Sequence, residues 1–352
     1  MNSKLSLKVN YIYNFISQIL TLIIPMVTTP YIARVLRENG NGQYSFSFSI
    51  ITYFILFANL GFNTYGQREI SKYRNDPMKR TKVLAEISIV RSITTFIAIL
   101  ILFIALFFGI FGEKYTLIIV ALSIQLIAVP FDINFYYQGL ENFRAIAIRS
   151  IILKIMGLIG VFLFVKTEND TWIYALCLSI SVMLSNLVLW PSVLRDCTKI
   201  TFRDVELKKH IKPAIVIFLP ALAVTIYSVL DKTMIGFLAV SPDYENGCYE
   251  QAYKLNSIAL LLITVISPIF SSRNSYEHAM GNEDKLKNNI YLASNYVWLI
   301  GLPLTAFFLV LSPNLCSWFL GGGFYEVPLL LRIMSVRFLL SGFSEIFGNQ
   351  LF

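Results

Sequence analysis

Ten mostly apolar stretches, most of them about 20 residues or longer, follow one another along the chain, and nothing constrains its fold more. Their approximate limits are 9–33, 44–66, 83–108, 116–138, 148–165, 172–194, 213–238, 248–270, 290–311 and 325–352. A helix needs about 20 such residues to cross the hydrocarbon core of a bilayer. Of the 352 residues, 56% are hydrophobic and 14% charged. A soluble domain carries about 25% charged residues. The chain therefore reads as an all-α integral membrane protein. Its first stretch exceeds the roughly 7–15 residues of a signal-peptide core and is expected to be a retained helix.

Charge orients these helices. With the N-terminus inside, the inside segments 1–8, 67–82, 139–147, 195–212 and 271–289 hold 18 Lys and Arg. The outside segments 34–43, 109–115, 166–171, 239–247 and 312–324 hold 4. That asymmetry predicts a cytoplasmic N-terminus. It also explains the net charge of +8 without nucleic acid. No connection is long enough for a nucleotide-binding or catalytic domain, and no GxxxxGK[ST] or GxGxxG occurs, which excludes a built-in ATPase. The scattered Cys177, Cys197, Cys248 and Cys316 suggest neither a zinc site nor a disulfide framework. His210 and His278 fall in polar loops and are expected to be solvated.

Polar residues recur on helix faces inside the apolar stretches. The first carries Asn10, Asn14, Ser17, Gln18, Thr21 and Thr28; the second Ser45, Ser49, Thr52, Asn59 and Asn63. Gln125, Asp132 and Gly139 recur every seven residues, and the eighth stretch offers Tyr249, Tyr253, Asn256 and Ser267. Unpaired polar groups cannot face hydrocarbon. Interhelical hydrogen bonding would satisfy them, and so would a wet cavity. Pro25 and Pro30 in the first helix, and Pro213 and Pro220 in the seventh, predict bends.

"IARVLRENGNGQYSFSFSI" (32–50) parallels "MIGFLAVSPDYENGCYEQAYKL" (234–255), aligning Gly42 and Tyr44 with Gly247 and Tyr249. The chain is thus expected to form two parallel repeats. Residues 1–194 would be a six-helix lobe, 195–212 a cytoplasmic linker and 213–352 a second lobe. That lobe has four helices where six would complete it, so it is expected to be incomplete in this form.

The segments "PYIARVLRENGNGQYSFS" (30–47), "NLGFNTYGQREISKYRND" (59–76), "DINFYYQGLENFRAIAIRSIILK" (132–154) and "LPALAVTIYSVLDKTMIG" (219–236) resemble the Wzx-type oligosaccharide flippases of the multidrug/oligosaccharidyl-lipid/polysaccharide exporter superfamily. The segment "LRENGNGQY" departs from that family's usual "LGPEGYG". The resemblance implies a two-lobed helical bundle with a cationic cavity lined mainly by helices one, two, seven and eight. The implied cargo is undecaprenyl-diphosphate-linked oligosaccharide, moved from the inner to the outer leaflet of a bacterial cell membrane. The expected partners are that lipid, the bilayer, a coupling H+ or Na+ and a polysaccharide polymerase. No cofactor and no catalysis are expected. The competing readings are a drug/cation antiporter of the same superfamily and a polysaccharide polymerase or ligase.

A diphosphate is best met by paired, charge-assisted hydrogen bonds, and sugars by amides, hydroxyls and aromatic faces. The cations at or within the membrane are Arg34, Arg68, Arg91, Arg149, Lys154, Lys232, Arg332 and Arg337. Arg34, Arg91, Lys232, Asn59, Gln125, Tyr249 and Asn256 are the candidate substrate-binding residues. Asp231 and Asp132 are candidates for charge balance or ion coupling. Arg34 and Lys232 could equally snorkel to the outer surface, and Arg149 could merely anchor orientation. Asp231 and Lys232 point about 100° apart on a helix and cannot pair with each other. Asp231 is expected to neutralise a cavity Arg, and Asp132 to pair with Arg149 or cap a loop.

Overall fold

The computed structural model describes residues 7–198, 206–265, 270, 273–274, 277–278 and 280–349, with side chains described from residue 24 to residue 347 within these ranges. The described residues form helices joined by turns. In chain order they are α1 (Leu7–Asn59), α2 (Phe62–Lys72), α3 (Pro77–Phe107), α4 (Glu113–Ile127), α5 (Asn134–Gly139), α6 (Phe143–Phe164), α7 (Thr171–Leu187), α8 (Trp190–Asp196), α9 (Lys208–Leu238), α10 (Pro242–Thr264), α11 (Glu283–Phe319), α12 (Val327–Met334) and α13 (Arg337–Asn349). Among the described residues, seven helical segments are long and apolar enough to cross a membrane. Their outward faces carry unshielded Phe96, Phe103, Phe107, Val216, Leu299 and Val310, as expected of lipid-facing surface.

Two of the expected spans, 116–138 and 248–270, are not among those seven. Helix α4 stops at Ile127, and the chain turns before α5. Helix α10 buries Glu250, Gln251 and Asn256 and half-buries Lys254 on its packed face but exposes Leu262 and Val265, and residues 266–269 of the expected span lie outside the described residues. Its most extensive contact is with α1.

The corner between the first two expected spans is tighter than the loop read from 34–43. Helical geometry persists on both sides of a single residue, Arg37, at φ 52° and ψ −168°. A side chain in that left-handed region costs of order 1–3 kcal/mol and needs outside support. Asn41 supplies part of it, donating from Nδ2 to the main-chain oxygens of Arg37 at 2.6 Å and Ile32 at 3.2 Å. Glu168 supplies the rest through an ion pair with Arg37 at 2.6 Å. The prolines do not break their helices: Pro25 and Pro30 lie within α1, and Pro213 and Pro220 within α9.

Three hydrophobic clusters form among the described residues; one of them joins Phe62, Ile87, Phe135 and Val193 to Ala214 of α9. Another gathers Ile32, Ile51, Leu102, Ile119, Val161 and Ala175 from α1, α3, α4, α6 and α7. The third gathers Ala252, Ile263, Val297, Phe308, Leu331 and Phe338 from α10 to α13, with Ala33 of α1 packed into it. The lobes cross where the aligned glycines stand. A Cβ on Gly42 would lie 1.7 Å from the Asp243 oxygen and 2.9 Å from the Gly247 nitrogen. A Cβ on Gly247 would lie 2.0 Å from the Glu38 oxygen and 3.2 Å from the Gly42 nitrogen. Each repeat thus presents its glycine to the other, and only glycine admits so close a backbone approach.

Contacts also sort the connecting segments by side. Arg37 reaches Glu168, Lys114 reaches Asp243 at 2.8 Å, and Arg34 Nη2 donates to the Trp318 oxygen at 2.7 Å. All five Lys- and Arg-poor segments therefore lie at one end. At the other, Arg74 pairs with Glu141 at 2.9 Å, and the Thr198 amide donates to Thr81 at 3.1 Å. These latter residues belong to the basic segments.

Candidate functional site

The seam between the lobes is built by the second half of α1, by α9 and by α10. Adjacent residues of α9 reach adjacent residues of α10. The Tyr249 hydroxyl donates to Asp231 Oδ2 at 2.6 Å, while Lys232 Nζ lies 2.5 Å from Glu250 Oε2. The divergence expected of neighbours on a helix is therefore realised, each side chain with its own partner. Lys232 is 8% exposed and does not snorkel. Asp231 is exposed and accepts from a phenol, not from an arginine.

Glu250 is the hub of this group. It also holds Lys254 Nζ at 3.1 Å and accepts from the Ser45 hydroxyl of α1 at 3.2 Å. A buried carboxylate beside two ammonium groups compensates charges that would otherwise be prohibitive in the interior. Lys232 Nζ lies 5.0 Å from the Tyr253 ring centre, and the Arg337 guanidinium of α13 lies 5.3 Å from the same centre. Tyr253 stacks on Tyr249 at 6.3 Å. Arg337 is half-buried, and no carboxylate among the described residues pairs with it. The result is three cations against Asp231 and Glu250, interleaved with two stacked phenols. Such a surface suits an anion carried on a hydroxyl-rich body.

The other predicted residues lie elsewhere. Arg91 is 1% exposed within the first lobe. Its Nη1 donates to the main-chain oxygen of Asp132 at 2.5 Å, and Nη2 lies 3.8 Å from the Asp132 carboxylate. Asp132 also accepts from Asn63 at 3.3 Å and from the Asn134 amide at 3.0 Å, the loop-capping role expected of it. Arg149 donates instead to Ser185 O at 2.6 Å and to Asn134 Oδ1 at 2.8 Å. Asn59 is half-buried at the end of α1, with Oδ1 lacking a partner. Gln125 donates to Ser179 of α7 at 3.1 Å, and Asn256 to the Met334 oxygen at 3.0 Å. Both are interhelical bonds inside a lobe. Arg34 is exposed and fastens the segment around Trp318. The side chains of Asn10, Asn14, Ser17, Gln18 and Thr21, and residue Ser267, lie outside the described residues.

His210 corrects the sequence reading. It is 1% exposed, with Nδ1 2.7 Å from the Tyr65 hydroxyl and Nε2 2.7 Å from Glu86 Oε2. The expected polar loop is the start of α9, which docks on α2 and α3. His278 is exposed. Glu250 and Lys254 are the residues that sequence reasoning missed. Their signal was present: an acid and a base at i and i+4 within an apolar stretch, hence on one helix face.

The fold has solved counterparts. One is described as the inward-facing conformation of a multidrug resistance MATE family transporter of the MOP superfamily, with a TM-score of 0.61 at 14% identity over 93% of this chain and 84% of that one. Another is a MATE crystal structure in complex with MaD3S, with a TM-score of 0.56 at 17% identity over 97% of this chain and 79% of that one. The fold is therefore that of the MATE-like, two-lobed helical membrane proteins. Residues 7–273 match the family model described as polysaccharide biosynthesis protein, and the chain belongs to that family. Relatives named as candidate O-antigen transporters occur in Shigella dysenteriae, 26% identical over 90% of this chain and 78% of the relative, and in Escherichia coli K12, 22% identical over 99% and 84%.

Proposed function

We propose that this chain exports a saccharide across a bacterial inner membrane by flipping its lipid-linked form, undecaprenyl-diphosphate-oligosaccharide, through the seam between lobes 1–194 and 213–352. The observation that carries this reading is Arg337. It is a half-buried guanidinium over Tyr253 that meets no carboxylate among the described residues, beside the Lys232–Glu250–Lys254 group. A diphosphate desolvated in hydrocarbon needs such a fork, and the prenyl tail can stay in lipid while the headgroup passes. Tyr249 and Tyr253 offer faces to the sugar, and Lys232 adds charge that Glu250 holds until an anion arrives. Asn59, Gln125 and Asn256 serve this route as packing partners. Arg91 and Asp132 keep the first lobe rigid, and Arg34 closes the outer end. The surplus of cations over acids in the seam disfavours a cation antiporter. The positive-inside asymmetry places the N-terminus and residues 195–212 in the cytoplasm. Asp231 and Glu250 are the acids placed to couple transport to H+ or Na+, and a polysaccharide polymerase would take up the flipped unit. The chain itself performs no catalysis.

Replacing Arg337 by Ala should lower flipping of a lipid-linked oligosaccharide in proteoliposomes at least about tenfold, with the unfolding midpoint unchanged; a tenfold loss corresponds to about 1.4 kcal/mol. Arg337→Lys should recover part of it, and Arg332→Ala, on an exposed neighbour, none of the loss should appear. Wild-type rates in Arg337→Ala would remove the diphosphate site from the seam.

A further inference from the structure

A polar hollow lies at the Lys- and Arg-poor end. It has a volume of 260 Å³ and is bounded by the corner of α1 and the first turns of α4 and α7. Asn39, Gln43, Lys114, Glu168, Asn169 and Trp172 line it. Asn39 and Asn169 are exposed, and their side-chain amides make no hydrogen bond among the described residues. Trp172, 37% exposed, lays an indole beside them. Free amides next to an accessible indole are the means by which proteins hold sugars: the amides meet hydroxyls, and the ring covers the apolar C–H face. A tryptophan at this depth also suits a membrane interface, but an interfacial anchor has no use for the unpaired amides around it.

The hollow is wired to the closure between the lobes. Gln43 donates to Asp243 Oδ2 at 3.1 Å, and Lys114 pairs with the same oxygen at 2.8 Å. Asp243 sits in the first turn of α10, in the opposite lobe. Glu168, on another wall, is the carboxylate that holds Arg37 at the corner of α1. An occupant that draws Gln43 and Lys114 toward itself takes them from Asp243.

We propose that this hollow is a saccharide subsite for one sugar ring, and that its occupancy loosens the Asp243 closure. The proposal rests on the export reading above, because it places the subsite where a transported glycan would emerge. Its chemistry is that of a neutral or N-acetylated pyranose, met by amides and an indole.

The test uses the full chain in nanodiscs, titrated with free N-acetylglucosamine and galactose, and with sorbitol as an open-chain control, by isothermal titration calorimetry. A saturable response to the ring sugars and none to sorbitol is expected. Asn169→Ala, at an exposed side chain, and Trp172→Phe should each weaken it at least about tenfold. Asp243→Ala, which removes the oxygens that hold Gln43 and Lys114, should tighten it. A response matched by sorbitol, or an affinity unchanged in both Asn169→Ala and Trp172→Phe, overturns the subsite. Flipping of lipid-linked oligosaccharide by the wild-type chain, measured in parallel, separates the two ideas. Flipping without sugar binding removes the subsite alone, whereas absence of flipping removes the export reading.

Discussion

Two of the buried charged groups, one in the first lobe and one at the seam, are built differently. In the first lobe, Arg91 and Arg149 give their strongest bonds to main-chain or amide oxygens of neighbouring turns, at 2.5 Å to Asp132 O, 2.6 Å to Ser185 O and 2.8 Å to Asn134. Asp132 contributes a carboxylate only at 3.8 Å from Arg91. In the seam, Lys232 and Lys254 both depend on one side chain, Glu250, at 2.5 and 3.1 Å. A backbone carbonyl cannot swing away as a side chain can, so the bonds to Asp132 O and Ser185 O hold the first arrangement in place. A carboxylate side chain can exchange one cation for another, or yield both to a competing anion. Where charge is held by backbone it fixes structure; where it is held by a single side chain at a lobe boundary it remains available for binding.

The largest test of this contrast removes each carboxylate. Glu250→Ala leaves two ammonium groups buried without a counter-charge and should cost about 3–5 kcal/mol. Asp132→Ala keeps the main-chain oxygen that Arg91 uses and should cost about 1–3 kcal/mol. Unfolding in graded SDS measures both, and equal losses would erase the distinction.

A smaller effect is expected at the crossing beside the seam. Gly42→Ala drives a methyl into the Asp243 carbonyl, and overpacking of this kind costs about 1–3 kcal/mol. The same substitution at Gly109, where nothing lies within 4 Å of a Cβ, crowds nothing and should spare the contact between lobes. Disulfide trapping between α1 and α10 at the crossing would report the separation. If Gly42→Ala leaves trapping unchanged, the lobes are not held by that approach.

The smallest effect concerns a surface cap outside both groups. Asp76 caps α3, accepting the Lys79 amide at 3.1 Å, and that bond holds its carboxyl below the usual carboxylate range. A depressed folded-state value means that the stabilisation is present above the ordinary carboxylate pKa of about 3.9 and fades as pH falls through the lower value. The stability gap between wild type and Asp76→Ala should therefore be constant near neutrality and close in acid. A gap that persists at the lowest pH would mean that the cap does not act through ionised Asp76.

Much of the fold was legible because it is local. A run of about 20 apolar residues becomes a helix in lipid whatever its neighbours do, and the alternation of Lys- and Arg-rich segments sorted the ends as the contacts do. The resemblance in words between residues 32–50 and 234–255 pointed to Gly42 and Gly247, which proved to touch. Residues whose partner is a sequence neighbour's backbone, such as Asp132 capping Asn134, were readable for the same reason. The site was less legible. Gln125, placed among binding residues by its stripe, faces Ser179, because a polar stripe says only that lipid is excluded and not which helix excludes it.

The sequence alone determined a membrane-embedded helical chain, two repeats and which connections share an end. These follow from the hydration cost of charge and backbone in hydrocarbon, which acts on every segment independently. Only the tertiary structure decided that Lys232 belongs to Glu250, that His210 is enclosed by Tyr65 and Glu86, and that Arg337 comes to rest over Tyr253. Those partners are brought together by how the helices cross, and a crossing angle is a property of packed surfaces that no single segment carries.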